Sequence, residues 1–234
     1  MSRSFYRNRL SLGAIPQERH VDRYIEPPDY HALLHFNGDA GSTTFTDESG
    51  KTWSTSANPP VLSTTAPKLG SASGLFASDT TEYITTADHA DFHLGSNEFT
   101  IDFWMKWVTY QYGFIFANSN IWLHKNWGNI GFWWYNGSSW VSYYCGSNIT
   151  TGEWTHVAVV RSVDTVNIYI NGSKTGAGKS LGAGFTFNNT TNASYIGGYP
   201  SQGSYFNGYL DEFRFTNGLA AWTNNFTPPT TEYV

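Results

Sequence analysis

The chain has 234 residues, 18% of them aromatic and only 13% charged, and a net charge of −5. This length holds one large domain with a well-buried core, and plentiful Gly, Ser, Thr and Asn without Leu/Ala/Glu/Lys runs excludes a mainly helical protein. No run of about 18 apolar residues is present to cross a membrane as a helix, no opening stretch reads as a secretory leader, and the single Cys145 cannot form an internal disulfide, which fits a reducing compartment.

Residues 1–28 stand apart by charge. Arg3, Arg7, Arg9, Arg19 and Arg23 face Glu18, Asp22 and Glu26, a net +2, which leaves −7 for the remainder. The segment has no sustained period of 2 or 3.6 and closes on Pro27-Pro28, so an extended arm is expected. At about 3.3 Å per residue such an arm reaches roughly 90 Å. A solvated tail and an anchoring arm both fit this composition; the separate charge favours the anchor, with residues 29–234 as the body.

From Tyr30 onward, short alternating runs recur between turn signals. In chain order they are "YHALLHF", "EYITT", "FTIDFWMKW", "GFIFAN", "NIWLHK", "GNIGFWWY", "SWVSYYC", "EWTHVAVVR", "TVNIYIN", "ASYIGG" and "YLDEFRFT". "FTIDFWMKW" sets Phe99, Ile101 and Phe103 against Thr100, Asp102, Trp104 and Lys106. "EWTHVAVVR" and "TVNIYIN" form a hairpin through Ser162-Val163-Asp164, and the second ends in the Asn171-Gly172 turn. "YLDEFRFT" sets Asp211, Phe213 and Phe215 against Glu212 and Arg214. So many antiparallel strands hide their edges best as an all-β, two-sheet jelly-roll sandwich.

The stretch "GFWWYNGSSWVSYYC" holds seven aromatic side chains in fifteen positions. Alternation puts Phe132 and Trp134 on one face and Trp133 and Tyr135 on the other, with Trp140, Ser142 and Tyr144 opposed to Val141 and Tyr143 on the return strand. Most of these rings are expected to be structural. Trp133, Tyr135 and Trp140 are the candidates for an exposed stacking surface for sugar.

Several phrases, taken in order, resemble the laminin-G-like, concanavalin A-like lectin/glucanase superfamily. They are "LLHFNGDAGSTTFTDESGKTW", "FTIDFWMKW", "GEWTHVAVVRSVDTVNIYINGSKTG" and "YIGGYPSQGSYFNGYLDEFRFTNGLAAWTNNFTPPT", and the resemblance spans nearly all of residues 31–230. It implies a concanavalin A-like sandwich. The closing "GLAAWTNNFTPPT" resembles the end of such domains in virion and tail proteins of tailed bacteriophages. That implies a virion protein assembled in the host cytoplasm, joined to other virion proteins through residues 1–28, forming homo-oligomers and meeting host-surface polysaccharide. No nucleic-acid or membrane partner is expected. A carbohydrate-binding module of a bacterial or prophage-encoded protein is the alternative.

Glucanases of the superfamily use paired carboxylates on one strand face, about 5 Å apart when retaining. Here Glu98 and Asp102 flank the matching strand with no third acid, so no catalytic residue is expected and the chain reads as non-enzymatic. The histidines are dispersed, and His156, which matches the family's strand histidine, reads as structural. The resemblance also implies weak calcium candidates: Asp211 on the closing strand and Asp39 or Asn37 after the first. A purely structural Asp211, held by backbone hydrogen bonds, is the competing reading.

Overall fold

Period-two alternation becomes pleated strand throughout the body. The computed structural model describes residues 30–77, 81–109, 112–146, 149–189 and 191–234. The arm with Arg3, Arg7, Arg9, Arg19 and Arg23 lies outside the described residues. In chain order the strands begin with β1 (Ala32–Leu34), β2 (Ser54–Thr55), β3 (Val61–Ser63), β4 (Ser73–Phe76), β5 (Ile84–Thr86) and β6 (Phe99–Trp107). They continue with β7 (Gly113–Ala117), β8 (Ile121–Asn126), β9 (Asn129–Tyr135), β10 (Trp140–Tyr144), β11 (Thr155–Ser162) and β12 (Thr165–Ile170). The last are β13 (Ser173–Lys174), β14 (Lys179–Ser180), β15 (Ser194–Ile196), β16 (Gly198–Tyr199), β17 (Ser204–Tyr205) and β18 (Gly208–Asn217). Two short 3-10 turns, Ala90–Phe92 and Pro200–Gln202, are the helical content of the described residues.

One nine-stranded sheet runs β13-β12-β11-β6-β18-β4-β3, with β1 also on β18 and β14 on β12. A seven-stranded sheet runs β10-β9-β8-β7-β15-β5-β2, and β16 and β17 form a small ribbon. Every pairing is antiparallel. The two large sheets close on one core, to which β6 contributes Phe99, Ile101, Phe103, Met105 and Trp107. Contacts between sheets include Phe99–Phe132 at 5.8 Å and the stacked Phe116–Phe213 pair at 5.7 Å. Each such side chain contributes about 1.5–3 kcal/mol of burial, so the sandwich is fixed by the apolar half of the alternation.

Turn chemistry sets the registers. Asn171 and Gly172 both take positive φ, 50° and 75°, as a two-residue hairpin of the primed type requires. Between β9 and β10, Asn136 Oδ1 accepts from the amides of Ser138 at 3.0 Å and Ser139 at 2.9 Å. The "FTDESG" turn is tied by Asp47, which accepts from Leu33 N at 3.1 Å, Ser49 N at 2.8 Å and Trp53 Nε1 at 2.9 Å. Ser162 is the last residue of β11, so its hairpin turns on Val163 and Asp164 alone.

Among the described strands strict alternation fails in β7, where the register against β8 shifts between Phe114 and Phe116, and in β18. In β18, Asp211 pairs with Trp104 and Arg214 with Asp102, so three residues of β18 span two of β6. Glu212, at φ 51°, occupies this bulge. Asp211 therefore shares the outer face with Arg214, while Leu210, Phe213 and Phe215 face the core. The expectation that Asp211 lies with Phe213 and Phe215 is corrected: one extra residue swaps the faces on either side of it.

Candidate functional site

The outer faces of the two large sheets differ in what covers them. On the nine-stranded sheet, β6 turns Thr100, Asp102 and Trp104 outward, yet all three are buried. The closing segment lies across them. Ala221 N donates to Thr100 Oγ1 at 2.9 Å, Phe226 N to Gly172 O at 2.9 Å and Tyr233 N to Glu212 Oε2 at 2.8 Å. Trp222 and Phe226 stack at 3.9 Å and 7°, against His156 and Tyr169. Gly172 is required here, because a Cβ at that position would stand 1.9 Å from Phe226 O.

Beneath this cover, Arg214 holds Asp102 bidentately, Nε to Oδ1 at 2.9 Å and Nη2 to Oδ2 at 3.0 Å. Burial alone would push the Asp102 carboxyl up; the Arg214 charge, with hydrogen bonds from His156 and Arg214, outweighs it and holds the group below its ordinary range. His156, with Nε2 3.0 Å from Tyr233 OH, is pushed down by burial. Glu98 Oε1 accepts from Val163 N at 3.0 Å and Ser162 Oγ at 3.2 Å. Each of the two acids weighed for hydrolysis thus has a local structural partner, and Asp102 has no access to solvent.

The calcium candidates separate in the same way. Asp211 Oδ2 accepts from Lys68 N at 2.8 Å and Leu69 N at 3.1 Å, while Oδ1 is buried without a hydrogen-bond partner. Burial pushes its carboxyl up to about 7. Asp39 and Asn37 are exposed in the turn after β1, where Asn37 Oδ1 accepts from Ser71 N at 2.6 Å. A single spare oxygen is a poor match to the six to eight that calcium takes. Among the described residues the cluster of three metal-ligating side chains is His35, Glu212 and Glu232. It is internally satisfied: His35 Nδ1 lies 2.9 Å from Glu212 Oε1, Glu212 also holds Tyr233 N, and Glu232 accepts from Asn37 Nδ2.

The outer face of the seven-stranded sheet is aromatic. Phe132 and Trp134 are fully buried in the core, with Val141 and Tyr143 packed against it, while Trp133, Tyr135, Trp140 and Tyr144 face the other way and are half-buried. All three predicted stacking residues, Trp133, Tyr135 and Trp140, therefore share one face. The structure adds Trp122 of β8, directly opposite Trp133. Its ring stacks on Trp140 at 3.7 Å and on Trp133 at 6.0 Å, both at 23°. Trp133 Nε1 donates to Tyr144 OH at 3.0 Å, and Tyr135 lies 5.9 Å from Trp140.

Towards β7 the face continues through His124, Phe114, Tyr199 and Tyr195, with Phe114 5.6 Å from Tyr199 and Tyr199 5.5 Å from Tyr195. His124 sits over Gly131, where a Cβ would come within 2.7 Å of His124 Nε2 and Tyr144. Burial pushes His124 down to about 4, so it is neutral at neutral pH. Trp122 was legible in the sequence: a two-residue turn at Trp127-Gly128 pairs Asn126 with Asn129, and counting back along the hairpin places Trp122 opposite Trp133.

A two-sheet antiparallel sandwich with this order of motifs agrees with the family comparison. Residues 78–222 match the Laminin_G_3 family, described as concanavalin A-like lectin/glucanases superfamily. The chain belongs to this superfamily. Among solved structures it is similar to the binding domain of Paraclostridial Mosquitocidal Protein 1, with a TM-score of 0.61, 15% identity, and 81% of this chain aligned to 50% of that one. It is similar to domain 4 of AbnA, a GH43 extracellular arabinanase from Geobacillus stearothermophilus, in complex with arabinotriose, with a TM-score of 0.58, 20% identity, and coverage of 80% and 93%. The botulinum neurotoxin serotype D ligand binding domain in complex with N-acetylneuraminic acid gives a TM-score of 0.60, 13% identity, and coverage of 82% and 48%. At these identities the likeness is one of fold, and this superfamily member spans about half the length of the toxin binding domains it matches. No curated protein matches the sequence.

Proposed function

We propose that this chain is a non-enzymatic glycan-binding module whose binding surface is the outer face of the seven-stranded sheet. The observation that carries the reading is the half-exposed indole cluster of Trp122, Trp133 and Trp140, on the sheet face that the closing segment leaves open. Stacked aromatic rings present flat apolar area to the C–H face of a sugar, and Tyr135 and Tyr144 add hydroxyls at the margin. Domain 4 of AbnA, aligned over 93% of its length and solved with arabinotriose, supports the reading as a domain of this fold that holds sugar. The pairing of Asp102 with Arg214 under the closing segment supports the absence of hydrolysis. Stacking without a charged anchor gives millimolar affinity, about −4 kcal/mol, so multiple copies supply useful retention.

The setting we propose is a bacteriophage virion, with the domain displayed as a decoration, fibre or tail-attached protein, oligomeric, and anchored by residues 1–28 to other virion proteins. It is supported by the resemblance of "GLAAWTNNFTPPT" to phage closing segments and by the separate positive charge of Arg3, Arg7, Arg9, Arg19 and Arg23. The alternative setting, a module of a bacterial or prophage-encoded protein, uses the same face and needs no anchor.

The glycan reading is tested by retention of the full chain on insoluble polysaccharides. Retention that is released by Trp133→Ala with Trp140→Ala supports it, and retention untouched by that pair removes the sheet face from the account. The virion setting is tested by deleting residues 1–28: melting and glycan retention stay, while incorporation into particles is lost. Normal incorporation of the truncated chain contradicts the anchor.

A further inference from the structure

The seven-stranded sheet carries almost no charge. Across β10, β9, β8, β7, β15, β5 and β2 the only Asp, Glu, Lys or Arg is Lys125. Lys125 points inward: its Nζ lies 3.6 Å from the centroid of the core ring of Trp107 and donates to Thr109 O at 2.9 Å. The outward side chains are aromatic, hydroxyl, amide or small, and the one imidazole among them, His124, is buried among Tyr112, Phe114, Trp133 and Tyr144. The opposite sheet differs, with Asp102, Asp211 and Arg214 outward.

The pairings also align the face. Ser142 pairs with Trp133, Trp133 with Trp122, Trp122 with Ala117, Ala117 with Tyr195, Tyr195 with Thr85 and Thr85 with Ser54. This is a single straight row across all seven strands. At about 4.8 Å per strand, Trp133 to Tyr195 spans about 14 Å, longer than one sugar ring. Ala117, between Trp122 and Tyr195, is fully buried, and the ring of Tyr199 bridges the gap above the strand, 6.0 Å from Trp122 and 5.5 Å from Tyr195.

We infer that the ligand of this face is an uncharged oligosaccharide laid across the strands along Trp133, Trp122 and Tyr195, and that anionic glycans are turned away. The inference rests on the glycan reading above and narrows it. An anionic sugar would give up hydration without meeting a cation on the face. It would also approach a body that carries a net −7 beyond residue 28. A neutral sugar loses little by either, and its hydroxyls meet Ser142, Thr85 and the tyrosines.

The test is titration calorimetry of the full chain with arabinotriose and cellotriose, against trigalacturonate and sialyllactose. The neutral trisaccharides bind at least about ten-fold more tightly than the anionic ones and than their own monosaccharides. Raising salt from about 0.05 M to about 0.5 M changes the neutral affinity by less than about two-fold, because no ion pair is screened. Ser142→Arg, or Thr85→Arg at the far end of the row, improves binding of trigalacturonate several-fold. Tighter binding of the anionic sugars by the unaltered chain overturns the inference and leaves the glycan reading standing. Equal binding of monosaccharide and trisaccharide overturns the row. Binding of neither class, or a dimer that Ser142→Arg dissociates, overturns both, the dimer assigning the face to a second copy.

Discussion

Arg214 and Asp102 form a two-point clasp between the central strands β18 and β6, with hydrogen bonds of 2.9 Å and 3.0 Å and both side chains almost wholly withdrawn from solvent. Removing one partner strands a buried charge. Asp102→Ala is expected to cost about 3–5 kcal/mol in urea unfolding, and Asp102→Ala with Arg214→Met less than the sum of the two single changes. Retention on polysaccharide by the folded protein stays unchanged, because the clasp lies on the covered sheet. A loss of under about 1 kcal/mol for Asp102→Ala would contradict this account of the clasp.

Trp134 and Trp133 are neighbours with opposite roles. Trp134 is in the core and 5.9 Å from Phe132, whereas Trp133 is half-buried on the outer face. Trp134→Ala is expected to cost about 3–5 kcal/mol. Trp133→Ala, which removes outer-face ring contacts and one hydrogen bond to Tyr144, costs about 1–2 kcal/mol. Denaturant midpoints of the two variants check this, and equal losses would place both rings in the core.

Asp211 supplies a pH dependence. Its folded carboxyl, pushed up by burial to about 7, holds a proton that the unfolded chain, near 3.8, has released. The native state binds the extra proton, so this group's contribution is complete below about pH 4 and is lost as pH rises towards 7 and beyond. Asp211→Asn should flatten the melting curve against pH across that window. Because Oδ2 is already held by Lys68 N and Leu69 N, chelation of divalent ions should leave the melting midpoint unchanged. A fall on chelation that Asp211→Asn abolishes would assign calcium to this residue.

The closing segment depends on Gly172. Its positive φ of 75° and the contact of 1.9 Å that a Cβ would make with Phe226 O leave no room for a side chain. Gly172→Ala is expected to cost more than about 1 kcal/mol and to make the chain near Trp222 and Phe226 sensitive to limited proteolysis. Unchanged proteolysis would show that the segment tolerates displacement at that point.

The sandwich and its aromatic face were legible because they follow from period two. Once Asn136-Gly137 is read as a turn, Phe132 and Trp134 must oppose Trp133 and Tyr135, as the structure has them. The bulge at Glu212 was not legible, since a single extra residue leaves no compositional mark, and it reversed the placement of Asp211. Nor was the role of Trp222, Phe226 and Tyr233: they lie in a segment without strand periodicity, and what they cover, Asp102 and His156, becomes apolar-lined only when that segment docks. Trp122 needed the register of the hairpin that β8 forms with β9, which the alternation of β8 alone does not supply.

The central claim, that the uncovered sheet face is where sugar lies, is tested most directly by following the indole N–H resonances of the ten tryptophans in a 15N-labelled sample titrated with arabinotriose. The signals of Trp122, Trp133 and Trp140 are predicted to shift together and saturably, while those of Trp107, Trp134 and Trp222 stay in place. Shifts confined to Trp104 and Trp222, on the covered sheet, would contradict the claim.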